Sequence, residues 1–459
     1  MDIDKTIDSF RLCAVDLDCK KMVLSRRKVD GERFEGQGYI RQTSEGALTF
    51  KIYVTKSENV DFAAGPEVLL CLSSRLRTDE EYYDLTAVTR NGTTWNANKI
   101  IPNFNWDMFD LSVLVKGNLG SITADLKNGQ SAQYLRLHFF EEYNLPLHLM
   151  SKVEEHGNSY MTLDHAQFES CGSKFEIRER EGSGDTIVEA TSHSMFPPAF
   201  PLRIQEALQF LTGKTALWRA RVATEGDSLS LELASPQRRS LHTQFRPPIS
   251  PASIESRTHG WKLFDNYLSF VVNMRTDTQW NLVAYHLHNA CESTANSIDA
   301  WAMGVSVAVE AIASLVKIPS DDVTAKRINL FQKRMREYLN AQTDFKEFLP
   351  RMGGLIDQLG NKRTQDTLHA LSNSGYVKKS YINYWKELRN RQVHPTLQNL
   401  KKPDFTDFQK LLDQIHCVEV LLYQLIFHLI KYEGPFSDYG VANFPVKQYP
   451  LDETVEAVN

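Results

Sequence analysis

The most constraining feature of this chain is a change of pattern near residue 255. Before it, short runs alternate between apolar and polar residues and are separated by turn signals such as Asn91-Gly92 and Asn128-Gly129. After it, apolar residues recur at helical spacing over long stretches. A chain that is β-rich first and helical afterwards predicts an α+β protein whose two halves fold as separate domains.

The first half predicts an antiparallel β domain, built either as a sandwich or as a distorted barrel. One helix is expected within it, at 201–214, because Ile204, Ala207, Leu208 and Leu211 share one helical face. The predicted strands are 47–54, 68–72, 83–90, 134–140, 174–178, 217–223 and 228–233.

The second half predicts a bundle of four or five helices joined by short links. Its alanine-rich stretch 281–317 is capable of forming one continuous helix. Asp321 and Asp322 are expected to cap the helix that follows, and Gly434-Pro435 is expected to end the last one. The predicted helices are 261–274, 281–317, 323–340, 344–359, 380–394 and 404–431.

These patterns divide the chain into four segments. The β-rich domain covers 1–235 and the helical bundle covers 258–435. Residues 236–257 are expected to be a basic linker, since their four prolines disfavour regular structure. Residues 436–459 remain as a C-terminal tail.

Composition narrows the class of protein. Of the 459 residues, 42% are hydrophobic and 24% are charged, which is typical of a globular protein and excludes a disordered chain. A net charge of −5 excludes a polycationic nucleic-acid coat, although one cleft can still be basic.

The most continuous apolar stretch, 418–430, is too short for a membrane span. With no signal peptide pattern and no C-x-x-C pair among six cysteines, a cytoplasmic protein is expected, with its thiols reduced and no membrane partner.

One short segment carries a set of reactive side chains. Arg389 and Asn390 lie near the end of the predicted helix 380–394, and His394 stands directly before Pro395. In a straight helix Arg389 and His394 would point about 140° apart. Proline disfavours the helical conformation of the residue before it. His394 is therefore expected at the helix end, where its imidazole can turn towards Arg389.

These three side chains suit the cleavage of RNA at its own 2′-hydroxyl group. Histidine can act as an acid or a base near neutral pH. The forked guanidinium of Arg389 can neutralise charge that develops on a phosphate. Asn390 can orient the histidine or contact the phosphate. Such a reaction needs no metal ion or cofactor, and it leaves 2′,3′-cyclic phosphate and 5′-hydroxyl ends.

The motif and its surroundings resemble the HEPN superfamily, helical domains whose ribonucleases carry R-(N/H)-x3-H at this place. Segments 309–311 and 430–434 look like the corresponding helices of ApeA-type antiphage proteins. In the first half, segments 34–36, 46–48 and 203–208 are similar to the N-terminal domain of the same family. The resemblance covers most of the chain, and it is specific in the helical half and looser in the β half.

The resemblance implies a metal-independent endoribonuclease with Arg389, Asn390 and His394 as catalytic residues. HEPN nucleases generally pair two motifs in a symmetric homodimer, which implies a composite site here. The implied role is abortive antiphage defence, with cellular RNA as substrate, tRNA being one candidate. The β domain would sense a phage-derived trigger or restrain the nuclease until infection.

Several interpretations stay open. From the residues alone, Arg389 and His394 can also be a surface arginine and a helix-capping histidine. Glu310 either orients Arg389 or forms an ordinary interhelical salt bridge. A basic set either contacts RNA phosphates or is a solvated helix face; it comprises Lys326, Arg327, Lys333, Arg334, Arg336 and Arg391. The alternative function is a non-catalytic HEPN module that dimerises or binds RNA, in which the β domain would bind a protein or carbohydrate ligand.

Two weaker sites are disfavoured. Arg363 and His369 repeat the Arg-to-His arrangement at a longer spacing, but without the adjacent asparagine and following proline. His286, His288 and Cys291 contain zinc-binding residue types, yet residues 286 and 288 would point apart on a helix. No nucleotide-binding or zinc-protease motif occurs, so no metal site is predicted.

Overall fold

The computed structural model describes residues 1–60, 77–106, 113–127, 132–155, 158–180, 184–225, 228–237, 243, 245–274, 280–317, 322–341, 346–358, 363–393 and 405–451. The chain divides into two compact units: Met1–Gln205 with Ala216–Arg239, and Glu206–Thr215 with Ser240–Asn459. The first unit is built on antiparallel strands and the second on helices. The predicted order, β first and α afterwards, is confirmed.

The strands alternate between buried and exposed positions, as the sequence pattern indicates. Predicted strand 68–72 lies outside the described residues, and the other predicted strands occur with shifts of a few residues. The strands are β1 (Asp16–Arg26), β2 (Arg33–Gln42), β3 (Leu48–Glu58), β4 (Tyr83–Thr89), β5 (Thr94–Ile100), β6 (Asn103–Trp106), β7 (Val113–Leu119), β8 (Ser121–Lys127), β9 (Gln133–Phe139), β10 (Leu149–Glu155), β11 (Asn158–Ser170), β12 (Ser173–Arg180), β13 (Asp185–Ser192), β14 (Ala220–Glu225), β15 (Ser228–Ala234), β16 (Gly434–Ser437) and β17 (Val446–Tyr449).

The helices follow the predicted spacing in most places. Short 3-10 turns occur at Asp79–Glu81 and Lys346–Phe348. The α-helices are α1 (Ile3–Arg11), α2 (Phe200–Thr212), α3 (Ile254–Asn273), α4 (Leu282–Ser293), α5 (Ile298–Leu315), α6 (Asp322–Asn340), α7 (Leu349–Gln358), α8 (Thr364–Asn373), α9 (Lys379–Val393) and α10 (Phe405–Ile430).

Among the residues that the structure describes, fifteen strands pair in one antiparallel sheet, in the order β10-β11-β12-β13-β9-β14-β15-β8-β5-β4-β1-β2-β3-β7-β6. Strands β7 and β8 follow each other directly through Gly120, yet β7 pairs with β3 while β8 pairs with β5 and β15. The strands from β8 to β7 in this order therefore form a ring that the chain itself closes at Gly120. The prediction left a sandwich and a distorted barrel open, and the described sheet confirms the antiparallel β architecture.

Strands of the ring form one hydrophobic core together with β14, β15 and helix α1. Alternate strand residues point inwards, so that apolar side chains from different strands meet. Helix α1, which the sequence interpretation did not predict, adds Ile7 and Phe10 to this core. Asp2 caps it by accepting a hydrogen bond from the Lys5 amide at 3.2 Å. Other members include Met22, Leu24, Phe34, Phe50, Ile52, Leu85, Trp95, Val115, Ile122 and Leu231.

Two glycines of β2 allow close approach of β3. A Cβ atom on Gly38 would lie 1.9 Å from the Lys51 carbonyl oxygen, which is far inside van der Waals contact. We expect Gly38→Ala to lower the free energy of unfolding by about 3 kcal/mol, because strand backbone must shift to admit the methyl group. Gly120→Ala is the matched control, since its added Cβ meets nothing within 4 Å. Thermal unfolding checks both, and equal melting temperatures for the two variants would contradict the prediction.

In the second unit, α5 lies at the centre and packs against α4, α8, α9 and α10. The predicted continuous helix 281–317 is wrong, because the chain breaks between α4 and α5. Ser297 caps α5 by accepting a hydrogen bond from the Ala300 amide at 3.1 Å. A serine hydroxyl that bonds nearby backbone competes with helix continuation, and the break follows from that competition.

Other helix bounds differ in smaller ways. The predicted helix 261–274 begins earlier, at Ile254, where Ser253 provides the cap. The predicted helix 344–359 becomes a 3-10 turn followed by α7. Asp321, expected to cap α6, lies outside the described residues.

The C-terminal segment is part of the helical unit. Helix α10 ends at Ile430 rather than at Gly434-Pro435, because Lys431 adopts a left-handed conformation with φ 54°. Strands β16 and β17 then pair. Buried Phe436, Tyr439 and Tyr449 anchor this hairpin, so residues 436–451 differ from the expected tail.

The predicted linker 236–257 is also partly packed. Phe245 and Ile249 are buried, and the Ser250 amide donates to the Ser437 hydroxyl at 2.8 Å. The first unit ends at Arg239, inside the predicted linker, while Ile254 already starts a helix. Proline prevents helix and sheet locally, but it does not prevent burial of neighbouring apolar side chains.

Among the helices of the described residues, α5 is long and apolar enough to cross a membrane, with a mean hydropathy of 1.5. Its residues Trp301, Val305, Val309 and Ile312 are buried against the surrounding helices. A buried helix and a membrane span can share this composition, and 44% of this stretch is buried inside the structure.

Candidate functional site

Helix α9 carries the first two residues of the predicted motif and packs between α5 and α10. Leu388 is fully buried, and Trp385 is nearly so. The Trp385 indole Nε1 donates to the Ser306 carbonyl oxygen of α5 at 3.1 Å. This bond fixes how α9 is rotated and placed along α5, one turn before the motif.

Arg389 lies one turn beyond Trp385 and meets Glu310, which lies one turn beyond Ser306. Its Nε donates to Glu310 Oε2 at 2.8 Å and its Nη2 donates to Glu310 Oε1 at 3.2 Å. The guanidinium is therefore held at two points, which fixes its plane. The pKa of Arg389 is raised above its usual value, mainly because the guanidinium donates hydrogen bonds to the Glu310 carboxylate.

The Arg389–Glu310 pair remains open to solvent. The side chains are 37% and 43% exposed, so the pair adds at most about 1 kcal/mol to stability. Glu310 takes two of the five N–H donors of the guanidinium, and three remain for other acceptors. A fixed, accessible and permanently charged guanidinium can bind a phosphate.

The rest of the motif is only partly described. Asn390 is exposed beside Arg389, and Arg391 is half-buried. His394 lies outside the described residues, so its predicted position beside Arg389 remains a prediction. The structure thus brings Arg389 and Glu310 together and places Asn390 on the same last turn of α9.

Five of the six residues in the predicted basic set lie on α6, and Arg391 lies on α9. Lys326, Arg327, Lys333 and Arg334 are all exposed. Arg336 is also exposed, but it donates to Asp357 of α7. The exposed face of α6 is compatible with phosphate contacts, although a solvated helix looks the same.

The rival Arg363–His369 arrangement finds no support in the described contacts. Arg363 is the exposed N-cap residue of α8. His369 instead shares a hydrogen bond of 3.2 Å with Gln365 on its own helix. Both residues are therefore explained by local helix structure.

The weak zinc arrangement is likewise explained by packing. His288 lies against the Trp280 ring, with centroids 5.1 Å apart, and burial lowers the pKa of His286 and of His288. Cys291 donates to the Gly213 carbonyl at 3.2 Å, and burial raises its pKa to about 11. Within the described residues, no group of three metal-ligating side chains comes together.

A buried carboxyl group in α10 was not singled out from the sequence. Glu419 is fully buried and accepts from the Trp301 indole Nε1 at 2.8 Å. Burial raises its pKa to about 8, and the Trp301 bond and the charge of Arg246 oppose that shift. The sequence did indicate a buried carboxyl group, because a glutamate inside the apolar run 418–430 has to be buried.

A second group of residues was missed in the first unit. Arg136, His138 and Glu189 lie on one polar face of the sheet and line a cavity. Alternating charges in β12 are the sequence signal for such a face.

Comparison of the chain with known protein families, with curated proteins and with solved structures finds no match. The assignment of a function therefore rests on the residues and geometry of the chain itself.

Proposed function

We propose that the helical unit is a HEPN-type endoribonuclease that cleaves cellular RNA without a metal ion. Arg389, Asn390 and His394 are its catalytic residues, and Glu310 positions Arg389. The observation that carries the proposal is the two-point bond between Glu310 and Arg389, which holds an accessible guanidinium on the turn that precedes His394.

The proposed reaction needs little more than these groups. His394 removes the proton of the 2′-hydroxyl, whose oxygen attacks the adjacent phosphorus. The bond from phosphorus to the 5′-oxygen breaks, and that oxygen takes up a proton from a second proton-transfer group. Arg389 neutralises the charge on the phosphate oxygens, and Asn390 holds the reactive geometry. The product ends are a 2′,3′-cyclic phosphate and a 5′-hydroxyl.

Each chain has one such motif, and its His394 supplies only one of the two proton-transfer groups that the reaction uses. A symmetric dimer in which two motifs face each other supplies both. We therefore place the active site between two copies of the chain. The exposed cations of α6, and Arg391, are candidates for binding the RNA backbone, and tRNA is the first substrate to examine.

The proposed setting is abortive antiphage defence in the cytoplasm. An unrestrained ribonuclease would damage its own cell, so activity would have to follow a phage-derived trigger. The β-rich unit is the proposed sensing or restraining part.

The test is to incubate wild type and His394→Ala with total RNA in EDTA and to map the cleavage ends. We expect cyclic-phosphate ends from wild type, and at least a hundredfold slower cleavage by His394→Ala, because the proton-transfer group is lost. His369→Gln is the matched control, and it should cleave like wild type.

The outcomes separate the proposal from its rivals. Equal cleavage by wild type and His394→Ala would remove His394 from the mechanism. Loss of activity in His369→Gln would move the site to α8. Wild type that neither cleaves RNA nor becomes toxic in infected cells would favour a binding role.

That binding role is the second candidate function. The Arg389–Glu310 contact is also what an interhelical salt bridge provides, and many HEPN domains dimerise or bind RNA without cleaving it. In that case the β-rich unit would carry the ligand-binding function. Binding of RNA that is unchanged by His394→Ala, with no cleavage by either protein, would identify this case.

A further inference from the structure

A small, partly enclosed cavity lies in the first unit, on the polar face of β9, β12 and β13 beneath α1. Its volume is about 140 Å³. Arg136 and His138 of β9 line it from one side, and Glu176 and Arg178 of β12 line it from the other. Asp4 of α1 covers it. This cavity belongs to the β-rich unit and does not involve the residues of the proposed nuclease site.

His138 makes the cavity unusual. Its side chain is 6% exposed, and neither ring nitrogen has a hydrogen-bond partner among the residues that the structure describes. The nearest carboxylate oxygen, Asp185 Oδ2, lies 3.7 Å from Nδ1, which is too far for a hydrogen bond. The buried Arg136 Nε likewise has no partner in the described parts of the chain. Burying such groups unpaired is costly, so they indicate that something else fills the cavity.

The charges of the cavity restrict what can fill it. Arg136 Nη2 is already paired with Asp4 Oδ1 at 2.7 Å, and Arg178 Nε with Glu176 Oε1 at 2.6 Å. Four carboxylates line the cavity against two guanidiniums, so an anion would be repelled. A purely cationic group would offer only donors and would leave the Arg136 N–H unpaired. The ligand is therefore uncharged and carries both donors and acceptors.

The size of the site restricts the ligand further. A cavity of 140 Å³ is smaller than the roughly 300–1,000 Å³ of a typical ligand pocket. An open groove of about 460 Å³ lies next to it, since Glu176 and Glu189 line both spaces. The Tyr134 hydroxyl donates to Oε1 of Glu189 at 2.7 Å, and Arg136 Nη1 lies 4.0 Å from the same oxygen. A compact planar group can enter the cavity beside His138 while a hydroxylated group stays at these carboxylates.

We propose that this site binds an uncharged nucleoside, with the base in the cavity beside His138 and the ribose at Glu176 and Glu189. Every nucleobase presents donors and acceptors on its edge, which matches the unpaired His138 and Arg136 groups. The ribose hydroxyls donate to the two glutamates. A 5′-phosphate would bring negative charge to the same carboxylates, so the site discriminates against nucleotides.

The test uses the full-length protein and isothermal titration with adenosine, guanosine, cytidine and uridine, and with their 5′-monophosphates. We expect one nucleoside to bind one site per chain, and its monophosphate to bind at least tenfold more weakly. His138→Phe keeps an aromatic ring at this position but removes the two ring nitrogens that would bond the base. It should weaken binding about tenfold. Exposed His193→Phe is the matched control and should bind like wild type.

Three results would overturn the proposal. The first is that none of the four nucleosides binds at millimolar concentration, in which case water fills the cavity. The second is that the monophosphate binds as tightly as the nucleoside. The third is that binding survives in His138→Phe but is lost in Arg389→Lys, which would place it in the nuclease site. Should His138→Phe fail to fold, Glu189→Gln serves instead, with an expected loss of about fivefold.

Discussion

Replacing Arg389 by lysine should lower the rate of RNA cleavage by about two to three orders of magnitude. Lysine keeps the positive charge but offers a single ammonium in place of the planar fork. Glu310 fixes that fork through two bonds, to Nε and Nη2, and one ammonium group cannot reproduce both at the same orientation. The charge would remain near the phosphate while its placement is lost.

Stability should change little in the same variant. Both partners are more than a third exposed, so removing their pairing costs less than about 1 kcal/mol. Single-turnover cleavage and urea unfolding, measured on the same preparations, separate the two effects. A loss of activity that is matched by a loss of stability would make Arg389 a structural residue.

Glu310→Gln tests how Glu310 acts. An amide oxygen can still accept one bond from Arg389, so we expect a loss of about tenfold in cleavage and a steeper dependence on salt. Lys386→Ala is the matched control, because Lys386 is exposed on the same helix and has no role in the proposed site. Equal cleavage by Glu310→Gln and wild type would mean that Glu310 does not position Arg389.

The sequence located this pair but could not decide its geometry. The sequence placed Glu310 in an apolar helix and Arg389 near the end of another helix, and one of the two open interpretations had them in contact. The contact depends on the register of α9 against α5, which the Trp385–Ser306 bond sets. A tryptophan bonded to a backbone carbonyl on another helix leaves no local pattern in the sequence.

The same limit explains the other differences. The alternation that marks strands was visible in the sequence. The ring, however, depends on which strands pair: β7 pairs with β3 and β8 pairs with β5, on either side of Gly120. The break before α5 depends on a single serine cap. A serine within the alanine-rich stretch 281–317 does not by itself predict that the helix ends there. The cavity at His138 depends on three strands whose order in the sheet, β12-β13-β9, differs from their order in the chain. Contacts between distant segments decide the ring and the cavity, whereas the break before α5 is decided by a local cap.

The buried carboxyl of Glu419 should make the stability of the helical unit depend on pH. Its pKa in the folded state is about 8, against an ordinary value of 4.5 that applies in the unfolded chain. Between these values the unfolded state gives up the proton while the folded state keeps it. The free energy of unfolding therefore falls as pH rises from about 4.5, and the fall ends near pH 8.

The size of this effect is of order a few kcal/mol and at most about 5 kcal/mol. Glu419→Gln removes the ionisation while its amide oxygen can still accept from Trp301. We therefore expect the variant to be similar to wild type at pH 5 and clearly more stable at pH 9. Urea unfolding of both proteins at the two pH values measures the difference, and exposed Glu433→Gln is the control that should show none.

Comparing wild type with Glu419→Gln also removes the contribution of His416 to the pH dependence of stability. Burial lowers the pKa of His416 to about 4, so below pH 6.5 the unfolded chain takes up a proton that the fold does not, and the free energy of unfolding falls as pH falls. This acts in the opposite direction to Glu419, and wild type alone would show the sum of both. Because His416 is present in wild type and in Glu419→Gln, its contribution cancels in their difference. A difference that stays constant from pH 5 to pH 9 would show that Glu419 is ionised in the fold and that Arg246, rather than burial, controls its charge.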